Sequence, residues 1–161
     1  MKVRAITASI IGTVLLAACA GSPTMTQLPP ERGHEVTVAL AKGVSDLQID
    51  PGSFEISDEA KKELLGAFRT EMTKICIPVT PAGAPVTLRV SEFKTRPVAA
   101  RILLGVLSGS DHIAGTVSVA GTGFDVADTG ISVVGGLGVV ARNVGTQTAD
   151  GIGQLAGVTV K

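Results

Sequence analysis

Val86-Thr87-Leu88-Arg89-Val90-Ser91-Glu92-Phe93 is the stretch whose reading decides the fold. Val86, Leu88 and Val90 alternate with Thr87, Arg89 and Ser91, the period of two that puts apolar side chains on one face of a half-buried strand. Such a strand needs a cover on one face only. Upstream, Leu64, Leu65, Phe68, Met72 and Ile75 recur at helical spacing, so residues 58–75 are predicted to form that cover. Ser57 is a good N-cap, Asp58 and Glu59 suit the positive end of the helix dipole, and Pro78 is expected to stop the helix. Downstream, residues 112–120 read as a second strand, and Gly121-Thr122-Gly123 as a turn into Phe124-Asp125-Val126.

Working outward, Val36-Thr37-Val38-Ala39-Leu40 alternates and is expected to be a first strand; Leu47 and Ile49 alternate up to the turn signal Pro51-Gly52. Leu137, Val140, Val144, Ile152 and Leu155 mark a closing helix, weakened by Gly145, Gly151 and Gly153. Strands in meander order with helices beside them predict an α+β domain over residues 34–161: a small, mostly antiparallel sheet with helices packed on one face. That length suffices for one core and not for two.

The N-terminus has a different character. Lys2 and Arg4 precede an apolar run from Ala5 to Leu16, followed by Leu16-Ala17-Ala18-Cys19, the order of a secretory signal with a Cys at the cleavage point. The run is short for a bilayer span, which takes about 20 residues. Residues 1–18 are therefore expected to be a lipoprotein signal peptide, Cys19 the lipidated residue, and residues 19–33 a Pro-rich tether. Two or three acyl chains at about 0.8 kcal/mol per buried methylene make a firm anchor, so the membrane is an expected partner through Cys19. Ala20 follows the Cys. By resemblance to lipoproteins of double-membraned bacteria, in which Asp at that position favours inner-membrane retention, the outer membrane is expected, facing the periplasm.

Composition excludes several classes. The chain has 14 basic and 14 acidic residues, and loss of Lys2 and Arg4 with the signal leaves it slightly acidic. With no run of Lys and Arg, nucleic acid is not an expected partner. Four Phe, no Trp and no Tyr supply few of the aromatic platforms on which sugars and bases stack. Once Cys19 is acylated, Cys76 is the sole remaining Cys and has no intrachain partner. Between Ile75 and Ile77 it reads as a small buried hydrophobe.

No cofactor, metal or catalytic set is expected. Gly136-Leu137-Gly138-Val139-Val140-Ala141 has the form of a dinucleotide loop, but no acid follows at the needed distance. Gly105/Gly109 and Gly153/Gly157 have a glycine-zipper spacing that is not sustained. His34 stands at the end of the tether, and His112 follows Asp111 at a strand start, where a surface or capping pair is the plainer reading than a dyad. The odd segment is 96–110, in which Val98, Ile102, Leu103, Val106 and Leu107 would share one side of a helix. It is read either as a cover for the core or as an exposed element for a partner or lipid, with Ile102, Leu103, Leu104, Val106 and Leu107 as the docking candidates.

From Val86 onward, the order of the strand ending at Glu92-Phe93, Arg101-Ile102-Leu103-Leu104-Gly105 with Gly109, the strand at Thr116-Val117-Ser118-Val119, a Gly-rich turn and a closing helix resembles the bacterial lipoproteins of domain-of-unknown-function family 4410. That family usually has an acid before Thr-Gly at the hairpin; here Ala120-Gly121-Thr122-Gly123 stands there, and Asp128-Thr129-Gly130 comes later. The resemblance implies an envelope lipoprotein and brings no activity with it. The expected function is a non-enzymatic, lipid-anchored envelope protein acting through contacts with an envelope protein partner. The alternative is a small periplasmic hydrolase or ligand-binding domain with a site near residues 96–112, lined by Arg101, Asp111 and His112.

Overall fold

A computed structural model describes residues 23–25, 30–96, 109–131 and 136–158. The elements run β1 (Thr24–Met25), α1 (Pro30–Ala41), β2 (Val44–Asp50), α2 (Asp58–Lys74), β3 (Ala84–Lys94), β4 (Asp111–Val119), β5 (Thr122–Gly130) and α3 (Gly136–Leu155). The sheet order is β1-β5-β4-β3-β2. Among the named strands of the described residues, β2 and β3 pair in parallel, joined by the crossover helix α2, and the other strand pairs are antiparallel. The domain is the expected α+β sheet with helices on one face. α2 and α3 lie against each other, α3 covers β4 and β5, and α1 leans on α3.

The core lies between sheet and helices. From the sheet come Val86, Leu88, Val90, Ile113, Val117, Phe124 and Val126; from the helices Leu64, Phe68, Met72, Val140, Val144 and Ile152. The glycines of α3 let it approach its neighbours. A Cβ on Gly145 would stand 2.3 Å from the Leu64 carbonyl oxygen of α2, and one on Gly151 would stand 2.3 Å from the Phe124 ring. The helix propensity lost at these positions is returned as close packing.

Three local expectations are corrected. Val36–Leu40 is not a strand: it lies inside α1, with Val36 and Leu40 buried one turn apart. Thr37 Oγ1 bonds the carbonyls of Gly33 and Leu155, tying α1 to the end of α3. α1 also begins at Pro30, inside the stretch read as tether, because Pro suits a first helical turn. The β4–β5 hairpin turns on Ala120-Gly121 alone, both at positive φ (48° and 72°), with Val119 paired to Thr122.

The end of α2 also differs from expectation. Ile77 N–H donates to the Met72 carbonyl and Cys76 N–H to that of Thr73, while Cys76 takes φ 57°. This is a Schellman ending with Cys in the usual Gly place and an apolar contact between buried Met72 and Ile77. The helix stops before Pro78 is reached. Cys76 is carried outward, so the thiol expected to be buried is exposed.

Candidate functional site

The two poles of the sheet carry different chemistry. β3 ends and β4 begins at the first pole, where Arg96 and Asp111 face inward. Alternation along β4 puts Asp111 in phase with core residues Ile113, Val117 and Val119, so its carboxylate needs a buried partner. Arg96 supplies it: Nη2 lies 3.0 Å and Nε 3.3 Å from Asp111 Oδ2, and the Arg96 amide donates to Oδ1 at 2.8 Å. Arg96 Nη1 also donates to the Gly109 carbonyl at 2.9 Å. The ends of the segment between Arg96 and Gly109 are thereby fastened together. Ile131, just past β5, is exposed at the same pole.

His112, next along β4, points to the opposite face. Its Nδ1 shares a 2.7 Å hydrogen bond with Thr129 Oγ1, and its Nε2 lies 3.4 Å from Glu92 Oε2. Carboxylate, imidazole and hydroxyl stand in the order that could draw a proton from Thr129. They line an open depression of about 360 Å³ that also touches Phe54 and Phe93. The open sheet face continues as a polar row in register across the strands: Asp50, Arg89, Thr116, Asp125 and Thr24. Thr116 Oγ1 donates to Asp125 Oδ1 at 2.7 Å.

At the opposite pole, β2 is an edge strand beside an open groove of about 1150 Å³, walled by the end of α2 and residues 76–81. Asp46 and Arg69 are the charged residues that line it. They pair with each other, Arg69 Nε lying 3.0 Å from Asp46 Oδ1. The hydrogen bond from Arg69 holds the Asp46 carboxyl below its usual range. Leu47, Thr73, Cys76, Ile77, Pro78 and Val79 supply uncharged walls. The other edge of the sheet is treated differently. β1 pairs with Phe124 and Asp125, and buried Gln147 of α3 bonds both the N–H (3.2 Å) and the carbonyl (3.0 Å) of Ala127. A side-chain amide there takes the place of a neighbouring strand.

The expected lipidation residue, Cys19, and the docking candidates Ile102, Leu103, Leu104, Val106 and Leu107 lie outside the described residues, as does Arg101. Asp111 and His112, grouped by the alternative reading, are separated onto opposite faces, and Asp111 is committed to Arg96. Sequence reasoning missed Arg96, Glu92 and Thr129. Asp111 in phase with an apolar strand was the signal that a buried cation lay nearby. Among the described residues no group of three or more His, Cys, Asp or Glu is placed to hold a metal ion, and no helix is long and apolar enough to cross a membrane.

Among the described residues, the fold is a small α+β domain whose sheet is bordered by the short β1 on one side and by β2 with its groove on the other. No family model matches the chain. No curated protein matches it. Among solved structures, it is similar to the PelC dodecamer from Paraburkholderia phytofirmans in space group P6, at 15% identity and a TM-score of 0.48 over 71% of this chain and 90% of that one. A PelC variant dodecamer from the same organism, in space group C2, is 15% identical with a TM-score of 0.52 over 82% of this chain and 98% of that one. The likeness to the second is one of fold.

Proposed function

We propose that this chain is a lipid-anchored bacterial envelope protein that acts through protein contacts in the periplasm or at the outer membrane. The anchor is Cys19 in Leu16-Ala17-Ala18-Cys19, and Ala20 favours the outer membrane. The resemblance to family 4410 lipoproteins supports the same placement. The observation that carries the contact reading is the buried Arg96–Asp111 pair, which fastens the ends of an apolar sequence at one pole beside exposed Ile131. An exposed Ile131 beside the fastened ends of a sequence this apolar suits contact better than catalysis. The PelC variant that shares the fold is a dodecamer, so contact between copies is the form proposed here.

Two measurements test this. Replacing Cys19 by Ser should remove the acyl mass and release the protein from membranes; a wild-type protein without acyl mass at Cys19 overturns the anchor. Crosslinking in intact envelopes followed by pulldown should trap a protein partner, and an empty pulldown overturns the contact reading. A second reading, a small hydrolase, is favoured by the Glu92–His112–Thr129 chain. It predicts ester turnover that His112→Ala abolishes.

A further inference from the structure

The β2 groove and the Arg96–Gly109 stem lie at opposite ends of one sheet, and chain length decides what this separation means. Gln48, the groove residue farthest along β2, is in register with Thr87, and nine residues of β3 and its extension separate Thr87 from Arg96. At about 3.3 Å per residue the stem is roughly 30 Å from the groove. Residues 97–108 are twelve, leaving the stem at Arg96 and returning to it at Gly109. Half of such a loop, even fully extended, reaches about 22 Å. The segment cannot enter the groove of its own chain.

Resting on the reading of this protein as one that acts through contacts, we propose that the groove beside β2 receives residues 97–108 of a second copy. The groove suits an apolar occupant, since its one carboxylate and one guanidinium neutralise each other and the remaining walls are uncharged. The segment's sequence, Pro97-Val98-Ala99-Ala100-Arg101-Ile102-Leu103-Leu104-Gly105-Val106-Leu107-Ser108, carries a single charge. Among the described residues, Ser45–Gln48 of β2 border the groove at one sheet edge, while β1 and Gln147 occupy Phe124, Asp125 and Ala127 at the other. A contact between one pole and the opposite pole of the next copy is heterologous, so repetition builds a ring or a filament rather than a closed pair.

Cys76 lines the groove and makes the test direct. Two full-length lipoproteins with different tags are co-expressed, one unchanged and one carrying Leu103→Cys with Cys76→Ser, and mild oxidation is applied to intact envelopes. A disulfide-linked species bearing both tags is expected, and it should be absent when the tagged partner carries Cys76→Ser without Leu103→Cys. Thr73→Arg, an exposed change on the groove wall, should lower the mixed-tag yield about tenfold or more with an unchanged melting temperature. A mixed-tag yield that Thr73→Arg leaves intact overturns the groove as receptor. If no mixed-tag product forms while envelope crosslinking still traps another protein, the second copy is the wrong occupant and the contact reading stands. If neither forms, both fall.

Discussion

Arg96 and Asp111 form an ion pair inside the domain, with side chains 2% and 0% exposed and 3.0 Å between Nη2 and Oδ2. Arg96 lies two residues past the end of β3 and Asp111 opens β4, so the pair joins backbone segments fifteen residues apart in sequence. Its geometry is that of a clamp: two guanidinium nitrogens on one carboxylate oxygen, with the Arg96 amide on the other. Taking both ions out of water is costly, and their attraction and surrounding bonds offset that cost only while both are present.

Removing one partner should therefore be far worse than removing both. Asp111→Ala leaves a buried guanidinium without its carboxylate, and a loss of about 3–5 kcal/mol is expected in urea denaturation. The double change Arg96→Met with Asp111→Leu should recover most of that stability, and near-additive losses in the cycle would show that the two side chains act independently. The double variant also separates stability from contact. It should fold, yet lose the defined stem of the 97–108 segment and with it the envelope crosslink.

In the Thr73→Arg variant, whose groove stays unoccupied, Cys76 is expected to react promptly with maleimide in the folded protein, because the Schellman ending of α2 turns its side chain outward. Slow labelling that becomes fast in denaturant would contradict this geometry. The same φ of 57° is one that L residues adopt at a penalty of roughly 1–2 kcal/mol. Cys76→Gly should relieve it and stabilise the domain by up to about 1 kcal/mol, the remainder being lost to the greater freedom of Gly in the unfolded chain.

How much of this was legible differs from element to element for physical reasons. The alternation of β3 and the helical spacing of α2 were decisive because each segment is long enough to fit only one period. Val36 and Leu40 were ambiguous: residues four apart share a face in a strand and also in a helix, and docking on α3 chose the helix. Cys76 was misread because the Schellman ending usually announces itself with Gly. Asp111 was half legible, since its phase in β4 demanded a partner but nothing local named Arg96. The β2 groove was invisible, because an edge is a property of sheet order and the sequence orders its strands only through long-range packing.

The hairpin turn offers a second local test. Ala120 and Gly121 both have positive φ, the requirement of a two-residue type I′ turn, for which Asn-Gly is the favoured pair. Ala at the first place is strained where Asn is comfortable. Ala120→Asn should raise stability by about 0.5–1 kcal/mol without altering the fold. A neutral or negative change in melting temperature would mean that the turn relaxes differently in solution.

Asp150 gives the pH-dependent prediction. One of its carboxylate oxygens is buried and has no hydrogen-bond partner. Burial, and next the negative charge of Glu71, raise its pKa above the ordinary carboxylate value, while Lys74 opposes them. A raised native pKa means the folded protein holds this proton more tightly than the unfolded chain. The associated stability is fully present below the unfolded value of about 3.9 and is lost as the pH rises through the native value. Asp150→Asn keeps the shape and removes the ionisation, so it should be more stable than the parent at neutral pH. The gap should shrink as the solution is acidified through the raised native value, because Asp150 in the folded parent then takes up its proton and is neutral like Asn. Urea midpoints measured across that range decide the matter: a difference that stays constant with pH would show that the Asp150 carboxyl titrates alike in the folded and unfolded chain, and that its burial against α2 carries no electrostatic penalty.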